Sequence, residues 1–193
     1  MDDIGSEIYE VSNYLPDMHE IPPLQDIDKV TLTSCQQYWA RVLTKWRERN
    51  NAKVGTRATL YTKDGRTISA NNINSWGGEM GCAVKLNVFP SLEFDKFERH
   101  DIWYPHKPFK TEVKTGDRRG TWLGVKALDH IFTDPPTYYV LMEGEFPTYW
   151  FIGFIRSTDL LIQEHYRTCG PSGKLLDHPM YTAEQWELSK TIY

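Results

Sequence analysis

Three acidic residues and one lysine stand in an order that suits hydrolysis of a phosphodiester bond. Glu79 lies in a helix-forming run, Asp101 opens a short strand pattern, and Glu112 and Lys114 face the same side of the next strand pattern, because strand side chains alternate. Hard divalent cations such as Mg²⁺ prefer carboxylate and carbonyl oxygens. Asp101, Glu112 and the backbone carbonyl of Val113 are therefore candidate ligands of Mg²⁺, with Mn²⁺ as the alternative ion.

The two remaining groups have expected roles around such an ion. Lys114 would lie beside a metal-bound water, where it orients or helps deprotonate the nucleophile and neutralises charge on the phosphate. Glu79 would bind a second cation or hold a metal-bound water. Asp95 and Glu98, in the charged connector before Asp101, are alternatives to Asp101 as the metal ligand. Taken alone, a Glu-x-Lys pair favours the simpler interpretation that Glu112 and Lys114 are solvent-facing strand residues.

The run from Glu79 to Leu86 predicts a helix that carries this first carboxylate on its apolar side. Glu79, Cys82 and Ala83 fall on one helical face. Burying an ionised carboxylate costs several kcal/mol unless a cation or hydrogen-bond donors satisfy it, so Glu79 requires a partner. Small residues let the helix approach a neighbouring element closely; they are Gly77, Gly78, Gly81 and Ala83.

A second helix is predicted over about residues 34–50. Its apolar stripe has helical spacing, and Thr33 and Ser34 followed by Gln36 and Gln37 form a capping-box signal. The stripe comprises Trp39, Val42, Leu43 and Trp46. The basic residues of this helix form either a solvated face or a contact surface for phosphates; they are Arg41, Lys45, Arg47 and Arg49.

Strand patterns predict a buried antiparallel or mixed sheet around these helices. Apolar and β-branched runs indicate strands at 101–104, 109–115, 122–127, 138–142 and 150–155. A further strand and turn are predicted at 58–61 and 63–66, and turns at 134–136 and 144–147. Residues 166–193 are predicted to be rich in loops, with one short helix near Thr182–Leu188 capped by Thr182 and Gln185.

Basic residues near the predicted active strand are candidates for binding a nucleic acid. Arg118 and Arg119 lie in a glycine-bounded turn just after this strand, and Lys110 lies within it. Together with Arg47 and Arg49 of the first helix, they make up the predicted nucleic-acid-binding set.

Charge separates an acidic amino-terminal segment from a basic remainder. The chain has 22 Lys and Arg against 26 Asp and Glu, and eight of the acids lie in residues 1–28, which contain no Lys or Arg. We therefore expect an acidic arm over 1–28 and a single folded domain over 29–193. The arm either shields the basic surface or docks on a partner, or it is a solvated tail.

The cysteines and the apolar runs indicate the cellular environment. Cys35, Cys82 and Cys169 are odd in number and widely spaced, which argues against a disulfide framework and a zinc knuckle. The longest apolar runs fall short of the roughly 20 residues that cross a bilayer. We expect a cytoplasmic protein without a membrane partner.

The ordered set of Glu79, Asp101 and Glu112-Val113-Lys114 resembles the PD-(D/E)xK, or restriction-endonuclease-like, nuclease superfamily. The segments 138–144 and 151–160 resemble those of small nuclease-like proteins encoded by phages, and the resemblance covers about residues 35–162. It implies a restriction-endonuclease-like core, an α/β fold with a mixed sheet flanked by helices.

The resemblance also implies an activity, Mg²⁺-dependent hydrolysis of DNA. In that comparison Asp101 and Glu112 are the metal ligands, Lys114 is the catalytic lysine and Glu79 is the helix carboxylate. The expected protein is a phage-encoded deoxyribonuclease in the host cytoplasm. The alternative is a non-catalytic module that binds a nucleic acid or a host protein on the same fold. A homodimer and a host or phage partner for the acidic arm are further expectations.

Overall fold

The described part of the chain is a mixed α+β fold with two β-sheets and three α-helices. The structure, a computed structural model, describes residues 24–53, 68–88, 90, 101–103, 110–127, 135–170, 173 and 175–190. The helices are α1 (Ser34–Lys53), α2 (Ile68–Lys85) and the single-turn α3 (Ser157–Leu160). No described helix is both long enough and apolar enough to cross a membrane.

Within the described residues, eight strands form the two sheets. In chain order they are β1 (Lys29–Thr31), β2 (Ile102–Trp103), β3 (Lys110–Gly116), β4 (Leu123–Lys126), β5 (Tyr138–Glu145), β6 (Thr148–Arg156), β7 (Tyr166–Cys169) and β8 (Leu175–Ala183). The larger sheet has the order β1-β6-β5-β3-β2 and the smaller one β4-β8-β7. All pairs are antiparallel except β3 with β5, so the larger sheet is mixed, as predicted.

Five of the six predicted strands correspond to β2 through β6. The turn predicted at 144–147 is shorter than expected, because β5 continues to Glu145 and only Phe146 and Pro147 connect it to β6. The predicted strand at 58–61, the turn at 63–66 and the first residue of the turn at 134–136 lie outside the described residues.

Helix α2 packs closely on one face of the larger sheet. A Cβ atom added at Gly77 would lie 2.0 Å from the Tyr149 hydroxyl, and one added at Gly78 would lie 2.0 Å from the Thr115 hydroxyl. Only glycine leaves room for this approach, so the prediction of a tightly packed helix is confirmed. The apolar core between α2 and the sheet includes Cys82, Ala83, Val113, Val140, Met142 and Phe151.

The opposite face of the larger sheet is covered mainly by the smaller sheet. The second apolar core lies here and includes Leu123, Val125, Tyr139, Leu141, Ile155 and Ala183. Leu160 of α3 also belongs to this core. Among the described elements, therefore, long helices pack on one face of the sheet only, and α+β is the fold class that the structure supports.

Helix α1 occurs where it was predicted, but its buried side was predicted wrongly. The cap is present, since the Thr33 amide donates to Gln36 Oε1 at 2.8 Å. Trp39 and Trp46 of the predicted buried stripe are 51% and 43% exposed. The helix instead packs on α2 through a side that is rotated from this stripe, shares Leu43 with it and otherwise carries smaller residues, because small side chains allow two helices to approach closely. The buried residues of α1 are Ala40, Leu43 and Thr44.

The carboxyl-terminal segment is a β-hairpin, β7 and β8, where loops were predicted. Thr182, predicted to cap a helix, is a buried residue of β8 paired with Gly124 of β4. The helix is a single 3₁₀ turn, Gln185–Glu187, and its capping box joins Glu184 and Glu187. Long-range pairing with β4 overrides the local capping signal.

The last residues of the predicted acidic arm pack against the domain. Residues Asp26–Asp28 form a 3₁₀ turn directly before β1. Asp28 is buried, lies 3.3 Å from Lys85 Nζ and accepts a hydrogen bond from Lys190. Residues 1–23 lie outside the described residues, and the division of the chain at residue 28 remains a prediction.

Candidate active site

A cavity of about 510 Å³ opens at the end of strand β3. Its described lining includes all four groups singled out from the sequence, namely Glu79, Asp101, Glu112 and Lys114. The other lining residues come from α2, β3, the turn after β3, β4, β5 and β8. The tertiary structure thus brings one helical and three strand-associated side chains to a single concave surface.

Strand alternation places Glu112 and Lys114 on the cavity side. Val113, which lies between them, and Thr111, which precedes Glu112, are buried, as the period of two predicts. Lys114 Nζ lies 2.7 Å from Glu112 Oε1, and the two side chains are 32% and 21% exposed. An ion pair this accessible contributes at most about 1 kcal/mol to stability. It holds a carboxylate and an ammonium group side by side at the cavity.

Asp101 is anchored to the same strand. It directly precedes β2, and its Oδ2 accepts a hydrogen bond from the Val113 amide at 2.6 Å. The amide and carbonyl of one strand residue point to the same edge, so the Val113 carbonyl also faces the β2 side. Two of the predicted oxygen donors, the Asp101 carboxylate and the Val113 carbonyl, therefore lie along one edge of β3.

Glu79 reaches the cavity from the apolar side of α2. It is only 4% exposed, which confirms the expectation that the helix buries a carboxylate. Cys82, one helical turn on, is fully buried, and burial raises the pKa of its thiol. The negative charges of Asp101 and Glu79 raise that pKa further. The charges of both carboxylates therefore act on the Cys82 thiol, which lies near each of them.

The donor types fit a hard cation, but the described geometry is not a ready-made ligand cluster. Within the described residues, no three His, Cys, Asp or Glu side chains form a group that could hold a metal ion. Asp101 uses one oxygen for the Val113 amide, and Glu112 uses one for Lys114. Binding of Mg²⁺ or Mn²⁺ thus remains a prediction that requires rearrangement of these carboxylates.

The predicted nucleic-acid-binding residues fall in separate places. Arg118 and Arg119 are exposed in the turn that follows β3, between two residues that line the cavity. Lys110 begins β3 on the same side as Glu112. Arg49 is exposed on α1, while the side chain of Arg47, also on α1, lies outside the described part of the structure.

A buried carboxylate that the sequence did not single out supports the rim of the cavity. Glu143 of β5 is 2% exposed, and its Oε1 accepts hydrogen bonds from the Thr121 amide at 2.7 Å and from Gln185. Gln185 also donates to the Thr121 carbonyl at 3.0 Å. Because Thr121 lines the cavity, Glu143 and Gln185 fix one side of its wall.

The electrostatics of Glu143 reflect this burial. Desolvation raises the pKa of its carboxyl group, while hydrogen bonds from Thr121 and Gln185 and the charge of Arg119 oppose that rise. One signal in the sequence points to Glu143. It follows Tyr139 and Leu141 at intervals of two residues, so strand alternation places it on the same face of β5, the face that lies in the second core. Its partners are 22 and 42 residues away, beyond any local pattern.

Known proteins add no further evidence about the site. Comparisons of the chain with protein-family models, with curated proteins and with solved structures give no match. The resemblance to PD-(D/E)xK nucleases accordingly remains a prediction from the sequence. The function has to be argued from the cavity and its side chains.

Proposed function

We propose that the protein hydrolyses phosphodiester bonds of DNA at this cavity, with Mg²⁺ or Mn²⁺ as cofactor and a restriction-endonuclease-like core as scaffold. One observation carries the proposal: Glu79, Asp101, Glu112 and Lys114 line the same cavity although they lie on different elements. Like charges raise each other's energy when they are brought together. Such a set is typical of a site that binds a cation and handles a phosphate.

Each group has a chemical task in the proposed reaction. Asp101, Glu112 and the Val113 carbonyl would hold the ion, which polarises the phosphate and lowers the pKa of water when bound. Lys114, already beside Glu112, places a positive charge where negative charge grows in the transition state. Glu79, buried at the cavity wall, would orient a water or a second cation.

The proposed core agrees with the topology of the larger sheet. The parallel pair β3 and β5 lies between antiparallel neighbours, and α2 packs across it. The sequence resemblance implies a mixed sheet of this kind. The small sheet on the second face is an addition that the resemblance does not include.

A cleavage assay with labelled single- and double-stranded DNA tests the proposal. We expect cleavage to require Mg²⁺ or Mn²⁺ and to fall about 100- to 10,000-fold in Glu112→Gln, which keeps the shape of the side chain but removes its charge. Glu164→Gln, at an exposed carboxylate outside the cavity, is the matched control and should cleave normally. Cleavage that persists in EDTA or in Glu112→Gln contradicts the proposal.

A second function, binding of a nucleic acid without hydrolysis, is favoured by one observation. Asp101 and Glu112 each have a hydrogen-bond partner within the protein, the Val113 amide and Lys114, so each has an interaction that needs no metal. In that case DNA would bind without turnover, and calorimetry would show no Mg²⁺ binding. A homodimer and a protein partner for the acidic arm remain predictions from the sequence.

A further inference from the structure

The lining of the cavity includes a tryptophan, Trp122, that the proposed hydrolysis does not use. Trp122 is half-buried and directly precedes β4. Leu123 and Val125 of β4 belong to the second apolar core, so the alternation of strand side chains puts Trp122 on the other side, together with Gly124. Trp122 and Gly124 both line the cavity, which agrees with this alternation.

Packing in the apolar cores does not account for this ring. Among the described residues, Trp122 is not part of either core of the larger sheet, nor of the apolar contact between α1 and α2. Other partly buried rings do pack against the second core, for example Trp150 and Tyr181. Tryptophan side chains are highly buried on average. A tryptophan that lines a cavity outside the cores is therefore a candidate contact for a ligand.

The backbone next to Trp122 is held in place by buried side chains. The Thr121 amide donates to Glu143 Oε1 at 2.7 Å, and the Thr121 carbonyl accepts a hydrogen bond from Gln185 at 3.0 Å. Both backbone groups of the preceding residue are thus fixed, which limits the positions that the Trp122 ring can take. A ligand that stacks on a ring held in this way pays less conformational entropy in binding.

The lining of the cavity combines two kinds of groups. Helix α2, β3 and the residue before β2 contribute the four charged side chains of the proposed reaction. Strands β4 and β8 and the residue before β4 contribute Trp122, Gly124 and Met180, which carry no charge. Met180 lies against Gly124, since a Cβ atom added at Gly124 would be 2.8 Å from Met180 Cε. Groups that handle a phosphate and a flat ring that suits a base thus belong to one cavity.

We propose that this cavity takes an unpaired nucleotide of DNA, whose base stacks on Trp122 while its phosphate lies at Glu112 and Lys114. A cavity of about 510 Å³ is within the usual range for one small ligand, about 300–1,000 Å³. A base in a duplex must leave its stack before a ring can reach its face, and this costs free energy that an unpaired base does not pay. The choice of DNA rests on the proposed function, whereas the need for an unpaired base rests on Trp122.

The turn before Trp122 favours a nucleotide within a strand over a free mononucleotide. Arg118 and Arg119 are exposed in this turn, and Gly116 and Thr121 on either side of them line the cavity. Arginine side chains commonly contact the phosphates of a nucleic acid. Two arginines at the rim would contact phosphates of neighbouring nucleotides, which a mononucleotide lacks.

Binding of a fluorescent oligothymidylate of about 20 nucleotides to the full-length protein in EDTA, followed by anisotropy, tests the ring. Trp122→Ala should weaken binding about 5- to 150-fold, the range for loss of one base–ring stack. Trp122→Phe should retain most of the affinity, because phenylalanine also stacks. Trp122→Leu is apolar but not planar, so it should bind as weakly as Trp122→Ala.

The matched control is Trp39→Ala, which removes a ring that is 51% exposed on α1 and outside the described lining of the cavity. It should bind like the unmodified protein. Circular dichroism checks that each variant is folded. If Trp122→Ala does not fold, the comparison of Trp122→Phe with Trp122→Leu still separates stacking from apolar contact.

The unpaired base is tested with the same strand annealed to its complement. Trp122→Ala should not change the affinity for this duplex, because the bases of a duplex are not available to the ring. Thymidine 5′-monophosphate, at a concentration equal to that of the oligonucleotide, should not displace the single strand.

Several results would overturn the inference. They are absence of binding by the unmodified protein, unchanged affinity in Trp122→Leu, an equal loss on the duplex, and displacement by thymidine 5′-monophosphate at equal concentration. The binding assay contains no metal and measures no turnover, so the two proposals fail separately. Binding that depends on Trp122, without metal-dependent cleavage, rejects the proposed hydrolysis alone. Cleavage that depends on Glu112, with binding that is indifferent to Trp122, rejects this inference alone.

Discussion

Glu112 and Glu143 lie on the same face of the larger sheet, yet their surroundings differ completely. They belong to neighbouring parallel strands, and the register pairs Glu112 with Tyr139 and Gly116 with Glu143. Glu112 faces the cavity beside a cation, Lys114. Glu143 is buried and is held by two neutral donors, an amide and a carboxamide.

Because the two side chains are identical, the difference shows that the position of a glutamate within the fold determines its role. A carboxylate fixed by neutral donors in the interior serves as a structural anchor, because removing it leaves those donors unsatisfied. A carboxylate next to a lysine at an accessible cavity remains free to exchange partners with a ligand. Glu143 thus holds the wall, and Glu112 is the carboxylate that a ligand in the cavity can reach.

The largest expected effect is on catalysis at the accessible site. Lys114→Ala should lower the rate of DNA cleavage about 100- to 10,000-fold, because charge growing on the phosphate loses its stabilising partner. Lys126→Ala, which removes an exposed lysine from β4, should cleave at the normal rate. Single-turnover kinetics measure both variants, and equal rates would contradict a catalytic role for Lys114 and for the accessible pair that it forms with Glu112.

The next largest effect is on folding at the buried site. Glu143→Ala should lower the free energy of unfolding by about 2–4 kcal/mol, because the Thr121 amide and Gln185 lose their acceptor. Glu112→Ala should cost less than about 1 kcal/mol, since its ion pair is partly exposed. Urea denaturation followed by circular dichroism compares them, and a larger loss for Glu112→Ala would reverse our assignment of roles.

Asp101 shares one feature with each of these carboxylates. It lines the cavity, as Glu112 does, and it accepts a hydrogen bond from a backbone amide, as Glu143 does. Asp101→Ala should cost about 1–2 kcal/mol because the Val113 amide loses its acceptor, whereas Asp101→Asn retains an oxygen for that bond and should fold almost normally. Both variants should cleave DNA poorly if the charge is needed. Normal cleavage by Asp101→Asn would limit Asp101 to the structural role and would favour Asp95 or Glu98 as the ligand.

The smallest expected effect is a dependence of stability on pH. Burial raises the pKa of Glu143, so between its unfolded and folded pKa values the folded state binds more protons than the unfolded state. Stability is therefore favoured below the unfolded pKa, falls as pH rises through the folded pKa and then levels off. Thermal unfolding across this interval should show a smaller decline in Glu143→Gln and an unchanged one in Glu164→Gln. A decline that Glu143→Gln leaves unaltered would contradict the assignment.

Local patterns in the sequence predicted the elements that carry the site. Helical spacing located α1 and placed Glu79 on the buried side of α2, and alternation put Glu112 and Lys114 on one side of β3. These features depend on the period of 3.6 or two residues, which the sequence contains directly. The glycines of α2 likewise predicted its close approach to the sheet.

Other features depended on which partner an element meets. The spacing of Trp39 and Trp46 identified a helix, but the contact with α2 selected the side with Ala40 and Leu43. Similarly, Thr182 has the side chain of a helix cap, but pairing with Gly124 makes it part of a strand. A local signal is overruled where burial in a sheet or a helix contact provides more free energy than the cap.

The sequence by itself determined the chemical groups of the candidate site, their order and the faces of Glu112 and Lys114. Only the tertiary structure decided that Asp101 bonds to the Val113 amide through the pairing of β2 with β3. It also decided that Glu143 and Gln185, 42 residues apart, close the cavity wall around Thr121. The physical reason is that periodicity fixes the direction of a side chain on its own element, whereas convergence requires the packing of elements distant in the chain.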